Sequence, residues 1–303
     1  AQTQARDGSW RSQGSYGGGG YPVAMTSLAG LAMLAGGHTS VEGEYAINVR
    51  RSVDFLVNSM QSSGLIARQS ESSRPMHGHG FALLFLAEAY GMEPDAQRRE
   101  KIKRVLHKAI DLTGRSQSAA GGWLYTPDSG GDEGSVTVTQ IQGLRACRNA
   151  GIRVPKSIID QATKYIENSA NPDGGIRYRA STGGTSRPAI TAAAVATMYN
   201  AGEYENPIAV KSLAYLKKHL EGKEGARTFG GHQFYATLYA GQAMYLSSEE
   251  NWKSYFPHTR DWLIETQAEN GSWDGDGVGP VYGTAIGLLT LQLPYANLPI
   301  LQR

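Results

Sequence analysis

Acidic residues gather in one stretch of this chain, Asp128-Ser-Gly-Gly-Asp132-Glu133-Gly134, directly ahead of an apolar segment. Two adjacent carboxylates at a pocket mouth suit general acid or base catalysis, or metal binding together with a distant ligand such as His232. The same residues equally suit a polar loop whose charge complements a helix N-terminus. Tyr235 and Tyr282 open apolar segments of their own, which makes Asp132, Glu133, His232, Tyr235 and Tyr282 the candidate catalytic set. Arg177, Arg179 and Arg187 are candidate ligand contacts, because a guanidinium presents a planar fork to phosphate or carboxylate. Arg11, Arg68, Arg74 and Arg227 hold comparable places, where an arginine is also an ordinary solvated group. Tyr125 and Tyr178 offer rings that stack on a sugar or surround a hydrocarbon, and His77 and His79 complete the candidate binding set. A metal held by His77, His79 and His232 would lack an evident fourth ligand, and glycines flank His79, so no metal or other cofactor is assigned.

Composition narrows the partners. With 29 Lys and Arg against 27 Asp and Glu, the net charge is only +2, which gives no reason to expect nucleic acid or a membrane surface. No apolar stretch is long enough to span a bilayer. A single cysteine, Cys147, excludes an internal disulfide framework and a Cys-rich zinc site. The partner expected is a small lipid or oligosaccharide ligand, with the oligomeric state undetermined. A sequence beginning AQTQARDGSW without Met fits a trimmed product, or a secreted or periplasmic one after removal of a signal peptide.

The elements that position these residues come from an internal repeat. Gln4, Gly8 and Trp10 have the spacing Q-x3-G-x-W, which returns at Gln117, Gly121 and Trp123 and at Gln267, Gly271 and Trp273. Weaker copies run from Gln61 to Ile66 and from Asn171 to Ile176, and a degenerate one ends at Phe229. Each copy leads into a small, apolar segment with a Thr near its start: Thr26, Thr139, Thr191, Thr237 and Thr284, with Gly80 in that place in the second repeat. Six repeats result, at about 1–60, 61–116, 117–170, 171–220, 221–266 and 267–303, forming a single domain.

Segments such as AITAAAVATMY and YGTAIGLLTL are apolar all round and belong inside. Between them lie amphipathic stretches: 94 to 112 with a stripe of Ile102, Val105, Leu106, Ala109 and Ile110, then 155 to 168, and 207 to 220. Pro94, Pro155, Pro207 and Pro257 are read as standing near the starts of these outer helices. The alternation predicts an all-α (α/α)6 toroid of six inner and outer helix pairs. All six inner helices then point the same way, so their N-termini share one rim that favours anions and frames a central cavity.

The Q-x3-G-x-W repeats followed by Thr-bearing inner helices resemble the terpene cyclase and protein prenyltransferase superfamily along essentially the whole chain. The resemblance implies that Gln4, Trp10, Gln117, Trp123, Gln267 and Trp273 are structural ties between neighbouring turns. The superfamily's chemistry is not matched. Squalene-type cyclases place D-x-D-D directly before Thr-Ala, whereas Thr191-Ala192 follows Arg187-Pro-Ala189-Ile190 and Thr284-Ala285 follows Pro280-Val-Tyr282-Gly283. Prenyltransferases hold zinc with a His inside F-Y-H-T-C-Y, where this chain has Phe234-Tyr235-Ala236-Thr237-Leu238-Tyr239. The G-C-G-E-Q motif of macroglobulin thioester domains is absent. The leading expectation is a divergent toroid that binds an isoprenoid or another ligand with an anionic end in the central cavity. The alternative is a lyase or hydrolase acting on an acidic glycan, with Arg neutralising a uronate and Tyr or His moving protons. A non-catalytic binding module stands third.

Overall fold

The computed structural model describes residues 1–12, 14, 20–221 and 229–302. Its inner helices are α1 (Pro22–Ala35), α3 (Pro75–Met92), α5 (Gly134–Asn149), α7 (Pro188–Asn200), α9 (Gln233–Ser247) and α11 (Pro280–Gln292). Its outer helices are α2 (Ala46–Val57), α4 (Ala96–Arg115), α6 (Lys156–Asn168), α8 (Pro207–Leu220) and α10 (Glu249–Thr266). Each inner helix packs on the next, and α11 packs back on α1, so the ring closes. Burial explains the two kinds of helix. Every residue of α7 from Ile190 to Asn200 is buried, whereas α4 buries only the stripe expected from the sequence together with Leu112 and Thr113.

The repeat is written in hydrogen bonds. Gln117 Nε2 donates to Gly121 O within its own loop and to Ile158 O on the following outer helix, at 2.8 and 2.9 Å. Gln4 does the same with Gly8 O and Asn48 O. Trp123 Nε1 reaches back to Thr113 O on the preceding outer helix, and Trp273 Nε1 to Leu263 O. Successive outer helices are thus tied through one loop. Gly121 has φ +90°, and a Cβ there would sit 2.3 Å from Gln161 O, so both backbone conformation and contact demand glycine.

The Thr register holds in four repeats. The backbone N–H of Trp10, Ile176 and Trp273 donates to Thr26, Thr191 and Thr284 Oγ1. In the fifth, Gln233 bridges Phe229 N and Thr237 Oγ1. Two assignments change. In the third repeat Thr137, not Thr139, accepts from Trp123 N at 3.0 Å. In the second, His79 rather than Gly80 takes the role, its Nδ1 accepting from Ile66 N at 3.1 Å. Gly80 instead lets α3 and α5 approach, since a Cβ there would lie 2.4 Å from Thr139 Oγ1.

Two features of the outer ring also differ from the sequence reading. Pro257 lies inside α10, because Ser248 caps the helix by accepting from Asn251 N and starts it well upstream. After α11, where a sixth outer helix was expected, the described residues form short 3-10 turns at Leu293–Tyr295 and Pro299–Leu301. These turns run into the lower end of the toroid. Leu298, Ile300 and Leu301 are buried, Ile300 N donates to Glu88 Oε1, and Ile300 O accepts from Asn200 Nδ2. Gln142 Nε2 links Asn200 to Gln242 across the ring. A cavity of about 30 Å³ lies at this lower end, lined by Leu28, Leu31, Leu84, Leu238, Leu289 and Ile300 among others.

Candidate functional site at the N-terminal rim

Glu133 is placed by its own loop. Its N–H donates to Trp123 O at 2.8 Å, fixing the residue where α5 begins. Its carboxylate then caps α5: Oε1 accepts from Val136 N at 2.7 Å and Oε2 from Ser135 N at 2.9 Å. Ser135 Oγ lies 2.8 Å from Glu133 Oε1 and 3.0 Å from His77 Nε2, and His77 Nε2 is 3.6 Å from the carboxylate. The hydroxyl proton belongs to the carboxylate in this arrangement, so His77 Nε2–H donates to Ser135 Oγ. That tautomer leaves Nδ1 with its lone pair, and no described residue bonds it. Burial lowers the pKa of His77, Glu133 raises it, and Arg74 lowers it again, with a net value below the ordinary histidine range.

Above this relay stands a pair of tyrosines between two arginines. Tyr125 and Tyr178 share a hydrogen bond of 2.7 Å between their hydroxyls. The Arg74 guanidinium lies 4.8 Å from the Tyr125 ring centre, and that of Arg187 lies 4.8 Å from the Tyr178 ring. The His77 ring stacks on Tyr125 with centres 5.9 Å apart. Arg74 and Arg187 occupy the N-cap positions of α3 and α7, are exposed, and form no ion pair among the described residues. Burial first, then Glu133 and Tyr125, push the Tyr178 phenol well above its ordinary range, so it is a proton donor at neutral pH.

Five sequence candidates therefore meet: Glu133, His77, Tyr125, Tyr178 and Arg187. Tyr235 and Tyr282 lie in the first turns of α9 and α11. Others do not join. Asp132 is buried, and its Oδ1 accepts from Ala180 N, holding the loop that carries Tyr178. Arg177 braces that loop from outside, bonding Asn168 O and Asn171 Oδ1. Arg179 is half-buried, with no partner for Nε among the described residues.

His79 is fully buried between Ile66 N and Thr113 Oγ1, and burial holds its pKa at about 4, so it is a neutral packing residue. His232 is exposed beside Asp276, whose carboxylate caps α9 at Phe234 N and Tyr235 N. The three histidines thus face different surroundings, and no group of three or more metal-ligating side chains is assembled among the described residues. Of the remaining rim arginines, Arg11 pairs with Asp7, Arg68 lies over the Phe55 ring, and Arg227 falls outside the described residues.

Sequence reasoning passed over Ser135. Ser135 has a local signal, since a Ser two residues after an N-cap Glu lies within reach of that carboxylate. Glu71 was also missed, and it caps α1 from the next repeat by accepting from Val23 N and Ala24 N.

No protein-family model matches the sequence, and no curated protein matches it. Solved structures do. The apo form of the type II terpene cyclase MstE from Scytonema superposes with a TM-score of 0.67 over 98% of this chain and 95% of that chain, at 14% identity. The fold is the (α/α)6 toroid. The GH76A α-1,6-mannanase from Salegentibacter sp. HEL1_6 reaches 0.66 over 96% of this chain and 94% of that chain, at 10% identity. A protein from Actinoplanes gives 0.65 over 96% and 94%, at 16% identity. Since the toroid carries both a cyclase and a mannanase, it does not choose the reaction, and the choice falls to the rim.

Proposed function

We propose that the chain binds an acidic carbohydrate at its N-terminal rim and moves protons on it in a lyase-type elimination. The observation that carries this reading is the Arg74, Tyr125, Tyr178, Arg187 array above the His77, Ser135, Glu133 relay. Two guanidiniums that form no ion pair among the described residues neutralise a uronate carboxylate, which acidifies the adjacent C–H. His77 Nδ1 takes that proton, the C–H electron pair becomes a C=C bond, and the glycosidic C–O bond at the next carbon breaks. The departing oxygen collects a proton from the Tyr178 hydroxyl. Glu133, through Ser135, orients His77 and stabilises the imidazolium that forms.

Two neighbouring chemistries receive less support. The Salegentibacter mannanase is known in complex with α-1,6-mannotriose as a variant made inactive by changing two adjacent aspartates to asparagine. Asp132 and Glu133 are also adjacent, but Asp132 is buried with Oδ1 accepting from Ala180 N, and both Glu133 oxygens cap α5, so neither stands as the exposed acid that hydrolysis needs. At the lower end of the axis the cavity of about 30 Å³ is on the order of one water molecule, so an isoprenoid chain is not accommodated there. The test is incubation with polyuronates such as polygalacturonate, following the ultraviolet absorbance of unsaturated chain ends. The wild-type chain forms them, and His77→Ala slows the rate by roughly 10²-fold or more. Absence of unsaturated product from every polyuronate, or equal rates for the variant, would overturn the reading.

A further inference from the structure

The ring closes through its inner helices but not through its outer ones. Between α10 and α2, the outer position beside α11 and α1 holds no helix among the described residues. Burial of the inner helices marks the same place. Seven residues beyond the side chain that meets the loop N–H stand Leu86 on α3, Leu144 on α5, Met198 on α7 and Met244 on α9, all at most 3% exposed. That position on α1 and α11 carries Met33 and Leu291, and both are only half-buried. Leu288, one turn before Leu291, is half-buried as well, whereas Ile141 and Val195 in its place on α5 and α7 are sealed. An apolar groove therefore runs along the outside of α11 and α1.

Loop ties from both sides end in this groove. Gln4 and Gln117 each bond the following outer helix, at Asn48 O and Ile158 O, but Gln267 Nε2 reaches only Gly271 O in its own loop. A Cβ on Gly8, Gly64, Gly121 or Gly174 would meet an outer-helix carbonyl at 2.8 Å or less, while one on Gly271 would meet nothing nearer than Gln267 Nε2 at 4.0 Å. From the other side, Trp123 Nε1 and Trp273 Nε1 each donate to a carbonyl ten residues upstream, on the outer helix that leads into their loop. Trp10 Nε1 has no acceptor among the described residues, although Trp10 is only 3% exposed. The last repeat calls for a helix after it and the first for a helix before it. Ring closure makes these one position.

We infer that this groove seats one amphipathic α-helix of the same polypeptide, running directly into Ala1. Register selects the occupant. The position ten residues ahead of Trp10 lies immediately before Ala1, so a helix continuous with the chain there delivers its carbonyl to Trp10 Nε1 as α4 does for Trp123 and α10 for Trp273. Residues 1–4 already stand where 114–117 follow Thr113, and no further connection is needed. A helix from a second copy or another protein would have to find that register without a covalent link. The helix lays an apolar stripe on Met33, Leu288 and Leu291, keeps a polar outer face on the pattern of α4, and supplies the carbonyl that Gln267 lacks. The groove is outside the ring and independent of the rim chemistry.

Hydrogen exchange of the natural polypeptide, set beside the chain that begins at Ala1, tests the proposal. The residues directly ahead of Ala1 are expected to exchange as slowly as those of α4 by mass spectrometry. Without them, the α11 amides and, by NMR, the Trp10 indole N–H exchange at least tenfold faster. A natural polypeptide that starts at Ala1, upstream residues that exchange as an open chain, or equal exchange of α11 with and without them overturns the proposal. Sedimentation of the chain that begins at Ala1 separates the remaining occupant. A monomer is expected, and a dimer whose α11 amides become protected as concentration rises gives the groove to a second copy and overturns the proposal.

Discussion

Two histidines two residues apart on α3 live in opposite surroundings. His79 is sealed between Ile66 N and Thr113 Oγ1, whereas His77 reaches the mouth with Nδ1 unbonded by any described residue. Replacing His79 by Ala orphans two buried partners and removes ring packing, so a loss of about 2–4 kcal/mol is expected in denaturant unfolding. The folded pKa of His79, about 4, lies below its unfolded value, so only the unfolded chain takes up that proton as pH falls from about 6.5 toward 4. Stability therefore declines across that window, and the slope is smaller in a His79→Gln variant. For His77 the consequence is kinetic. Its pKa is lowered, so the acid limb of kcat/KM on a polyuronate falls below the ordinary histidine range, and that limb vanishes with the residual rate of His77→Ala. The sequence showed a His-x-His pair without separating its members. Their different fates depend on which loop N–H lies opposite, and that is a matter of helix rotation.

At the scale of elements, the loop glycines provide a controlled comparison. Gly121 and Gly271 have φ of +90° and +80°, but a Cβ on Gly121 would strike Gln161 O of α6, while Gly271 has no outer helix beside it among the described residues. Gly121→Ala is expected to cost about 3 kcal/mol or more, and Gly271→Ala about 1 kcal/mol, both measured by urea unfolding. Equal costs would mean that strain alone, and not the tie to α6, sets the requirement. These loops were the most legible part of the chain, because Gln, Gly and Trp each have one geometric task that recurs. The Thr register was less legible. The helix α5 begins 11 residues after Trp123, against 12 from Trp10 to α1 and from Ile176 to α7, so the bond falls to Thr137 although Thr139 has the spacing of Trp10 to Thr26. Pro257 misled for a related reason: helix starts are set by caps such as Ser248, and packing tolerates one missing donor inside α10.

For the molecule as a whole, the residues after α11 decide what the toroid can hold. A pattern of apolar residues foretold a ring with an axis, yet nothing in Leu298, Ile300 and Leu301 distinguishes an outer helix from turns that fill that axis. Glu88 lies where those turns dock. Burial pushes its pKa up to about 7, against the bond from Ile300 N. Below about pH 4.5 the carboxyl is protonated in both states. Between there and about pH 7 the unfolded chain ionises while the folded chain resists, so stability falls as pH rises. Glu88→Gln keeps the acceptor for Ile300 N and removes that penalty, giving a gain of up to about 3 kcal/mol at pH 8 relative to pH 4.5 in urea unfolding.

The central claim is that the rim, and not the axis, is where this toroid meets its ligand, and that the ligand is an acidic sugar. Calorimetric titration of the full chain with trigalacturonate and, separately, with geranylgeranyl diphosphate tests it directly, with the Arg74→Ala, Arg187→Ala double variant as control. The account predicts that trigalacturonate binds, that the double variant loses at least tenfold in affinity, and that the isoprenoid is not taken up. Tight binding of geranylgeranyl diphosphate with no response to trigalacturonate would contradict it.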